Sequence, residues 1–110
     1  MSLDAVFTAL ADPTRRGVIS LLRSGPHRAG ELADELGTSA PAMSTHLRVL
    51  RTSGLVELAL DESDARAKIF SLRKQPFSEL REWLDDIEQF WTLQLSAFAA
   101  HAERKHTKKR

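Results

Sequence analysis

The stretch TSAPAMSTHLRVLRTSGLV, at residues 38–56, decides the fold. Ser39 is a favoured helix N-cap, because its hydroxyl can accept a hydrogen bond from a free backbone N–H of the first turn. Pro41 fits that first turn, where no backbone donor is lost. Gly54 supplies the left-handed residue that ends many helices. The pattern therefore predicts a capped helix over residues 40–53.

This helix is amphipathic. At about 100° per residue, Met43, Leu47 and Leu50 fall on one side and form the predicted buried stripe. The opposite side carries small polar residues and arginine: Pro41, Ser44, Thr45, Arg48 and Thr52. A helix with such an outer face is typical of proteins that read DNA.

The residues before this helix predict three shorter ones. Apolar spacing indicates a first helix over residues 3–10. Asp12 followed by Pro13 signals the start of a second, which residues 24–26 (Ser-Gly-Pro) end. A third is predicted over residues 31–36.

The residues after Gly54 predict a hairpin and a long helix. Residues 55–60 and 68–72 alternate in polarity as strands do, and the polar residues 61–66 connect them. Residues 77 to about 102 have helical periodicity. The fold class is therefore mainly α with a small β-hairpin, a winged helix-turn-helix in the order α-α-α-α-β-β-α.

The helix over residues 40–53 and the hairpin, or wing, are predicted to bind DNA. Serine and threonine hydroxyls bond to bases or phosphates, and arginine reaches guanine or the backbone. The wing residues Arg66 and Lys68 are expected to contact phosphate. The residues of the helix are Ser39, Ala40, Pro41, Ser44, Thr45, His46, Arg48 and Arg51. For His46, a DNA contact and a role against the protein core are both open.

Other charged residues favour DNA binding in some places and oppose it in others. Asp61, Glu62 and Asp64 lie at the wing tip and repel phosphate. Arg15 and Arg16 are interpreted as a solvated face in preference to phosphate contacts. The five basic residues of the C-terminal segment, Arg104, Lys105, Lys108, Lys109 and Arg110, either attract DNA without specificity or only aid solubility.

The long helix carries more apolar surface than one small domain can cover. Two adjacent rows run along it, so one is predicted to contact a second subunit. The predicted interface residues on this helix are Leu84, Ile87, Trp91, Leu95 and Phe98. The chain is expected to be dimeric, with residues 1–103 as the DNA-binding and dimerisation domain and residues 104–110 as a basic, frayed tail.

Composition excludes several functions. The 110 residues include no cysteine, so neither a disulfide nor a thiolate metal site can form within the chain. The net charge is only +1, so a DNA-binding surface has to be local. No apolar run approaches the roughly 20 residues that span a bilayer, and no signal peptide is recognisable, which predicts a cytoplasmic protein without a membrane partner. No catalytic constellation is found, so no enzyme activity and no cofactor are expected.

Three motifs together resemble the ArsR family of winged-helix regulators. They are ALADPTRRGVISLL at residues 9–22, AGELADELGTSAPAMSTHLRVLRTSGLVE at 29–57 and DARAKIFSLRKQPFSELREWL at 64–84. The resemblance implies a homodimer joined through its terminal helices, which adds Leu3, Val6 and Phe7 to the predicted interface. It also implies repression through a two-fold operator in double-stranded DNA.

The chain departs from the metal-sensing members of that family. Their third helix carries a cysteine-containing ELCVC-type motif, where residues 31–35 here read ELADE. Residues 86–88 read DIE, with glutamate where zinc-sensing members have histidine. The resemblance therefore implies DNA binding with no metal site, and the effector is unknown. Two alternatives stay open: a winged-helix module that binds protein, and a metal sensor that uses His101 and His106.

Overall fold

A computed structural model gives the architecture of the chain. It describes the backbone of residues 2–64 and 66–108, and the side chains of residues 2–64 and 66–103. The mainly helical winged helix-turn-helix fold is confirmed. Its elements are α1 (Leu3–Leu10), α2 (Pro13–Leu22), β1 (His27–Arg28), α3 (Ala29–Leu36), α4 (Ala40–Thr52), β2 (Val56–Leu60), β3 (Lys68–Leu72) and α5 (Lys74–Lys108).

The helix ends form where the capping residues predict them. Asp12 Oδ1 accepts from the backbone N–H of Arg15 at 3.0 Å and caps α2. Ser39 Oγ does the same for α4 at Ala42. Gly37 and Gly54, with φ of 63° and 82°, follow α3 and α4 in the left-handed region, where a side chain would be strained. Gly37 and Ser39 together fix the tight turn between α3 and α4, which is the helix-turn-helix.

The sheet has one strand more than the predicted hairpin. β2 and β3 pair antiparallel with Val56 opposite Leu72 and Leu60 opposite Lys68. The two-residue strand β1 pairs with the other edge of β3, with His27 opposite Phe70, so the strand order is β1-β3-β2. The predicted order is corrected to α-α-β-α-α-β-β-α. The added strand joins the start of α3 to the wing.

The chain divides into two compact units, Met1–Phe77 and Ser78–Arg110. The first unit holds the core, to which α1–α4 and the sheet all contribute. The predicted stripe of α4 is confirmed, since Met43, Leu47 and Leu50 are at most 2% exposed. The other buried apolar residues are Val6, Ala9, Val18, Leu22, Leu32, Ala33, Leu55, Val56 and Phe70.

Val6, one residue of the predicted interface, is buried in the structure. Its side chain is only 2% exposed in the single chain, because it packs into the core of the first unit. Little of its surface is left for a partner, and the predicted interface as a whole stays a prediction. Phe7, the next residue of α1, is 39% exposed.

The second unit consists of the greater part of α5. This helix runs from Lys74 to Lys108, further at both ends than the predicted 77–102, and Pro76 lies in its first turn, where proline is tolerated. The backbone is helical to Lys108, which corrects the prediction of a frayed tail from residue 104. The side chains of residues 104–110 lie outside the described residues, so the roles predicted for their basic groups stay predictions.

Candidate DNA-binding surface

The exposed side of α4 faces outward next to the wing. Ser44 and Arg48 of α4 line a groove of about 390 Å³ together with Arg51 and, from β3, Lys68. Its floor is formed by the buried or half-buried apolar side chains of Leu47, Leu58 and Phe70. The fold thus brings four of the predicted DNA-binding residues to a single groove.

Three cations of this groove are unpaired. Within the described residues, the side chains of Arg48, Arg51 and Lys68 form neither a hydrogen bond nor an ion pair, and all three residues are exposed. A guanidinium or ammonium group without an internal partner is available to an external anion. The groove is therefore a positively charged surface with an apolar floor.

The arginines of α2 behave differently, and sequence reasoning missed their role. Arg15 Nε donates to Ala9 O at 2.7 Å and its Nη2 to Thr8 O at 3.2 Å. Arg16 Nη1 donates to Leu10 O at 2.9 Å. Both side chains donate to backbone carbonyls in the last turn of α1, where a helix leaves most carbonyls without an intrahelical partner. Arg15 is half-buried by these bonds, whereas Arg16 stays exposed, as predicted for a solvated face.

The remaining predicted residues of α4 lie at its start and on its flank. Ser39, Ala40 and Pro41 are exposed at the N-terminal turn. Thr45 is exposed, and its hydroxyl donates to Pro41 O at 3.2 Å, which leaves the oxygen free to accept. His46 is half-buried on the flank next to α2, where its Nδ1 lies 3.3 Å from Arg15 Nη1. It does not line the groove.

The wing loop is organised by an aspartate. Asp61 Oδ1 accepts from the hydroxyl of Ser63 at 2.8 Å and from its backbone N–H at 3.0 Å. Asp61 Oδ2 pairs with Arg28 at 3.0 Å, which ties the wing to the residue before α3. The order Asp-x-Ser is a turn signal that sequence reasoning could have used, but nothing in the sequence pairs residue 61 with Arg28.

These contacts reduce the predicted repulsion of phosphate at the wing tip. The charge of Asp61 is balanced by Arg28, and Asp64 Oδ1 accepts from the backbone N–H of Arg66 at 3.1 Å. Arg66 is exposed but does not line the groove, whereas Lys68 does.

The same contacts set the acidity of Asp61. Hydrogen bonds from the hydroxyl and the backbone of Ser63, and then the bond from Arg28, lower the pKa of Asp61 from its ordinary value of 3.8 to about 2. A carboxylate whose pKa is lower in the folded state stabilises the fold above its unfolded pKa, and this contribution is lost as the pH falls through the folded pKa. The loop is therefore held at neutral pH and throughout mild acid.

We expect the carboxyl carbon of Asp61 to titrate near pH 2 in an NMR experiment. Ser63→Ala removes the largest cause of the low pKa and is expected to move the midpoint back towards 3.8. Asp61→Asn assigns the signal. A wild-type midpoint at the ordinary value would contradict the loop geometry.

The described residues contain neither a cluster of metal-binding side chains nor a membrane-spanning helix. Among the side chains at positions 2–64 and 66–103, no three histidine, aspartate or glutamate groups come together in a way that could hold a metal ion. His101 falls in this range and His106 falls outside it, so the site predicted from both stays untested. In the described part of the chain, no helix combines the length and apolarity needed to cross a bilayer.

Comparison with known proteins gives one consistent result. The profile described as "Bacterial regulatory protein, arsR family" matches residues 12–57, which run from the N-cap of α2 into β2. The HTH-type transcriptional regulator Rv2034 of Mycobacterium tuberculosis is 39% identical over 98 residues, 89% of this chain and 86% of that protein. The transcriptional repressor SdpR of Bacillus subtilis is 30% identical over 82 residues, 74% of this chain and 88% of that protein.

Among solved structures, an ArsR-like transcriptional regulator from Rhodococcus sp. RHA1 is similar over nearly the whole chain. The match has a TM-score of 0.77 at 30% sequence identity and covers 92% of this chain and 90% of that one. At this coverage the similarity extends beyond the helix-turn-helix and includes much of α5.

Proposed function

Because the chain belongs to the ArsR family of bacterial regulatory proteins, we propose that it represses transcription as a homodimer bound to a two-fold operator. The observation that supports this most is the groove between α4 and the wing. Its cations Arg48, Arg51 and Lys68 have no partner among the described residues, whereas Arg15, Arg16 and Arg28 are used within the fold. A cluster of unpaired cations can bind the phosphates of a polyanion such as DNA.

The proposed binding mode places α4 in the major groove of DNA. The major groove of B-DNA admits an α-helix, and the exposed side of α4 offers hydroxyls and a guanidinium to base edges. We assign Ser44, Thr45 and Arg48 to bases. Arg51 lies on the side of α4 next to the wing, and Lys68 belongs to the wing. Both are assigned to phosphates along one edge of the DNA major groove.

The proposal of a dimer rests on the apolar residues of α5. Every side chain from residue 81 to residue 103 is exposed in the single chain. The large apolar ones are Trp83, Leu84, Ile87, Phe90, Trp91, Leu93, Leu95 and Phe98, which are 37–74% exposed. A contiguous apolar surface of this size on a helix marks a protein interface. Two-fold pairing would set two α4 helices about one turn of DNA apart, roughly 34–36 Å.

The proposed signal is not a metal held by thiolates, since the chain has no cysteine. Whether histidine and carboxylate side chains bind a regulatory metal is tested separately. A mobility-shift assay with added zinc, and again with a chelator, answers it. DNA affinity that changes with zinc would favour the alternative of a metal sensor.

We expect Arg48→Ala to weaken binding to the operator by about 1–3 kcal/mol, the discrimination that a bidentate contact to guanine provides. Arg23→Ala is the matched control. It removes the same charge from an exposed arginine at the end of α2, outside the groove, and is expected to change affinity little. The measurement is a mobility shift on operator and on random duplex. Equal losses on both duplexes would reassign Arg48 to phosphate.

The test of the function itself is binding to the DNA upstream of the protein's own gene, compared with random DNA. The affinity should fall steeply with salt, because the cations of the groove displace counterions from DNA. Absence of sequence-specific binding by the wild-type protein would favour the alternative of a protein-binding module.

A further inference from the structure

Arg15 connects three helices through one guanidinium group. Its Nε and Nη2 donate to carbonyls of α1, its own backbone lies in α2, and its Nη1 lies 3.3 Å from Nδ1 of His46 in α4. Arg15 therefore contacts α4 on the side away from the wing. No part of the DNA-binding mode proposed above uses this contact.

The chemistry of arginine assigns the tautomer of His46. A guanidinium only donates hydrogen bonds, so Nδ1 of His46 has to accept and carries no proton. Asp12 Oδ1 lies 4.0 Å from the same Nδ1, beyond hydrogen-bond distance, and already accepts from the backbone of Arg15. Since Nδ1 is the acceptor, the ring proton is on Nε2.

The Nε2–H group is available to a partner outside the protein. Within the described residues it has no hydrogen-bond partner and is not a buried atom, and the His46 side chain is 20% exposed. At 3.6 residues per turn, His46 points about 160° from Ser44 and about 140° from Arg51 around the axis of α4. Ser44 and Arg51 face the wing, so His46 stands on the opposite flank.

A helix in the major groove lies between two phosphate backbones. In the proposed binding mode, the unpaired cations Arg51 and Lys68 contact the phosphate backbone on the side of the wing. We propose that His46 Nε2–H donates to a DNA phosphate on the other wall, and that Arg15 is the positioning residue that holds the ring in this tautomer and orientation. This inference rests on the proposed function, because it assigns a contact within the same DNA complex.

Two variants of His46 separate this donor from a structural role. Glutamine extends about as far as Nε2 and can donate there, whereas asparagine reaches only the position of Nδ1 and can accept from Arg15. We expect His46→Gln to keep the affinity within about threefold and His46→Asn to lose about tenfold, the usual effect of one hydrogen bond to a charged group. The duplex is one that the wild-type protein selects from a random-sequence pool.

The opposite order of affinities would overturn the inference, because it is the result of a purely structural bond to Arg15. Equal affinities for the two variants would also overturn it. Matching thermal midpoints and oligomeric states confirm that both variants fold. If the wild-type protein selects no duplex at all, the proposed function fails and not this assignment.

The role of Arg15 has its own control in the next residue. Arg15→Ala and Arg16→Ala each remove a bond to the end of α1, but only Arg15 contacts His46. We expect Arg15→Ala to change the ring nitrogen shifts of His46 and to weaken DNA binding several-fold. Arg16→Ala is expected to leave both unchanged. Ring shifts that are the same in all three proteins would overturn the positioning role.

Discussion

Trp91→Glu is expected to leave the protein monomeric at concentrations where the wild-type protein is a dimer, and to weaken operator binding by about a hundredfold or more. Trp91 is 59% exposed and lies within the apolar surface of α5 that we propose as the interface. A carboxylate at its position would be buried without a partner, at a cost of several kcal/mol. A monomer contacts one half-site only and loses the gain of binding both at once.

Gln89→Glu is the matched control for this variant. Gln89 lies two residues away on the polar side of α5, beside Asp85 and Glu88, so the same gain of a carboxylate should leave the dimer intact. Analytical ultracentrifugation and a mobility shift measure both effects. A Trp91→Glu protein that sediments as a dimer would remove α5 from the interface.

Leu50→Ala is expected to lower the free energy of unfolding by about 2–5 kcal/mol, the range for a truncated leucine in a well-packed core. Leu50 is fully buried on the inner side of α4. Its backbone carbonyl also accepts from the hydroxyl of Ser53 at 2.9 Å and from the backbone N–H of Leu55 at 3.0 Å. The cavity would therefore open where α4 is joined to the sheet.

Leu60→Ala deletes the same atoms at a position that is 61% exposed. The change there is expected to stay within about 0.5 kcal/mol. Urea denaturation at one fixed protein concentration compares the two variants, because unfolding of a dimer depends on concentration. Similar midpoints for the two would contradict the burial of Leu50.

The elements that local chemistry determines were predictable from the sequence. The caps at Asp12 and Ser39 and the glycines at 37 and 54 act within a few residues, so a reader of the sequence can find them. The buried stripe of α4 follows from its period. The strand β1 was missed because His27 and Arg28 are too few to show a period, and they pair with residues about forty positions later.

The bonding partner of each arginine side chain was not predictable in the same way. Arg15, Arg28 and Arg48 look alike in sequence, yet one binds the end of α1, one binds Asp61 and one is unpaired. Which of these occurs depends on the carbonyl or carboxylate that the fold brings near, and such partners are distant in sequence. For this reason the sequence predicted the position of α4 well and the bonding partners of Arg15 and Arg28 poorly.

The groove between α4 and the wing has a consequence for the unbound protein. Arg48, Arg51 and Lys68 are like charges that line the same groove, and none of them forms an ion pair with a described residue. Their mutual repulsion opposes the close approach of α4 and the wing, and dissolved ions screen it over a Debye length of about 8–10 Å. We therefore expect salt to have two opposite effects. It reduces the repulsion between the three cations in the unbound protein, and it lowers the affinity of the groove for DNA.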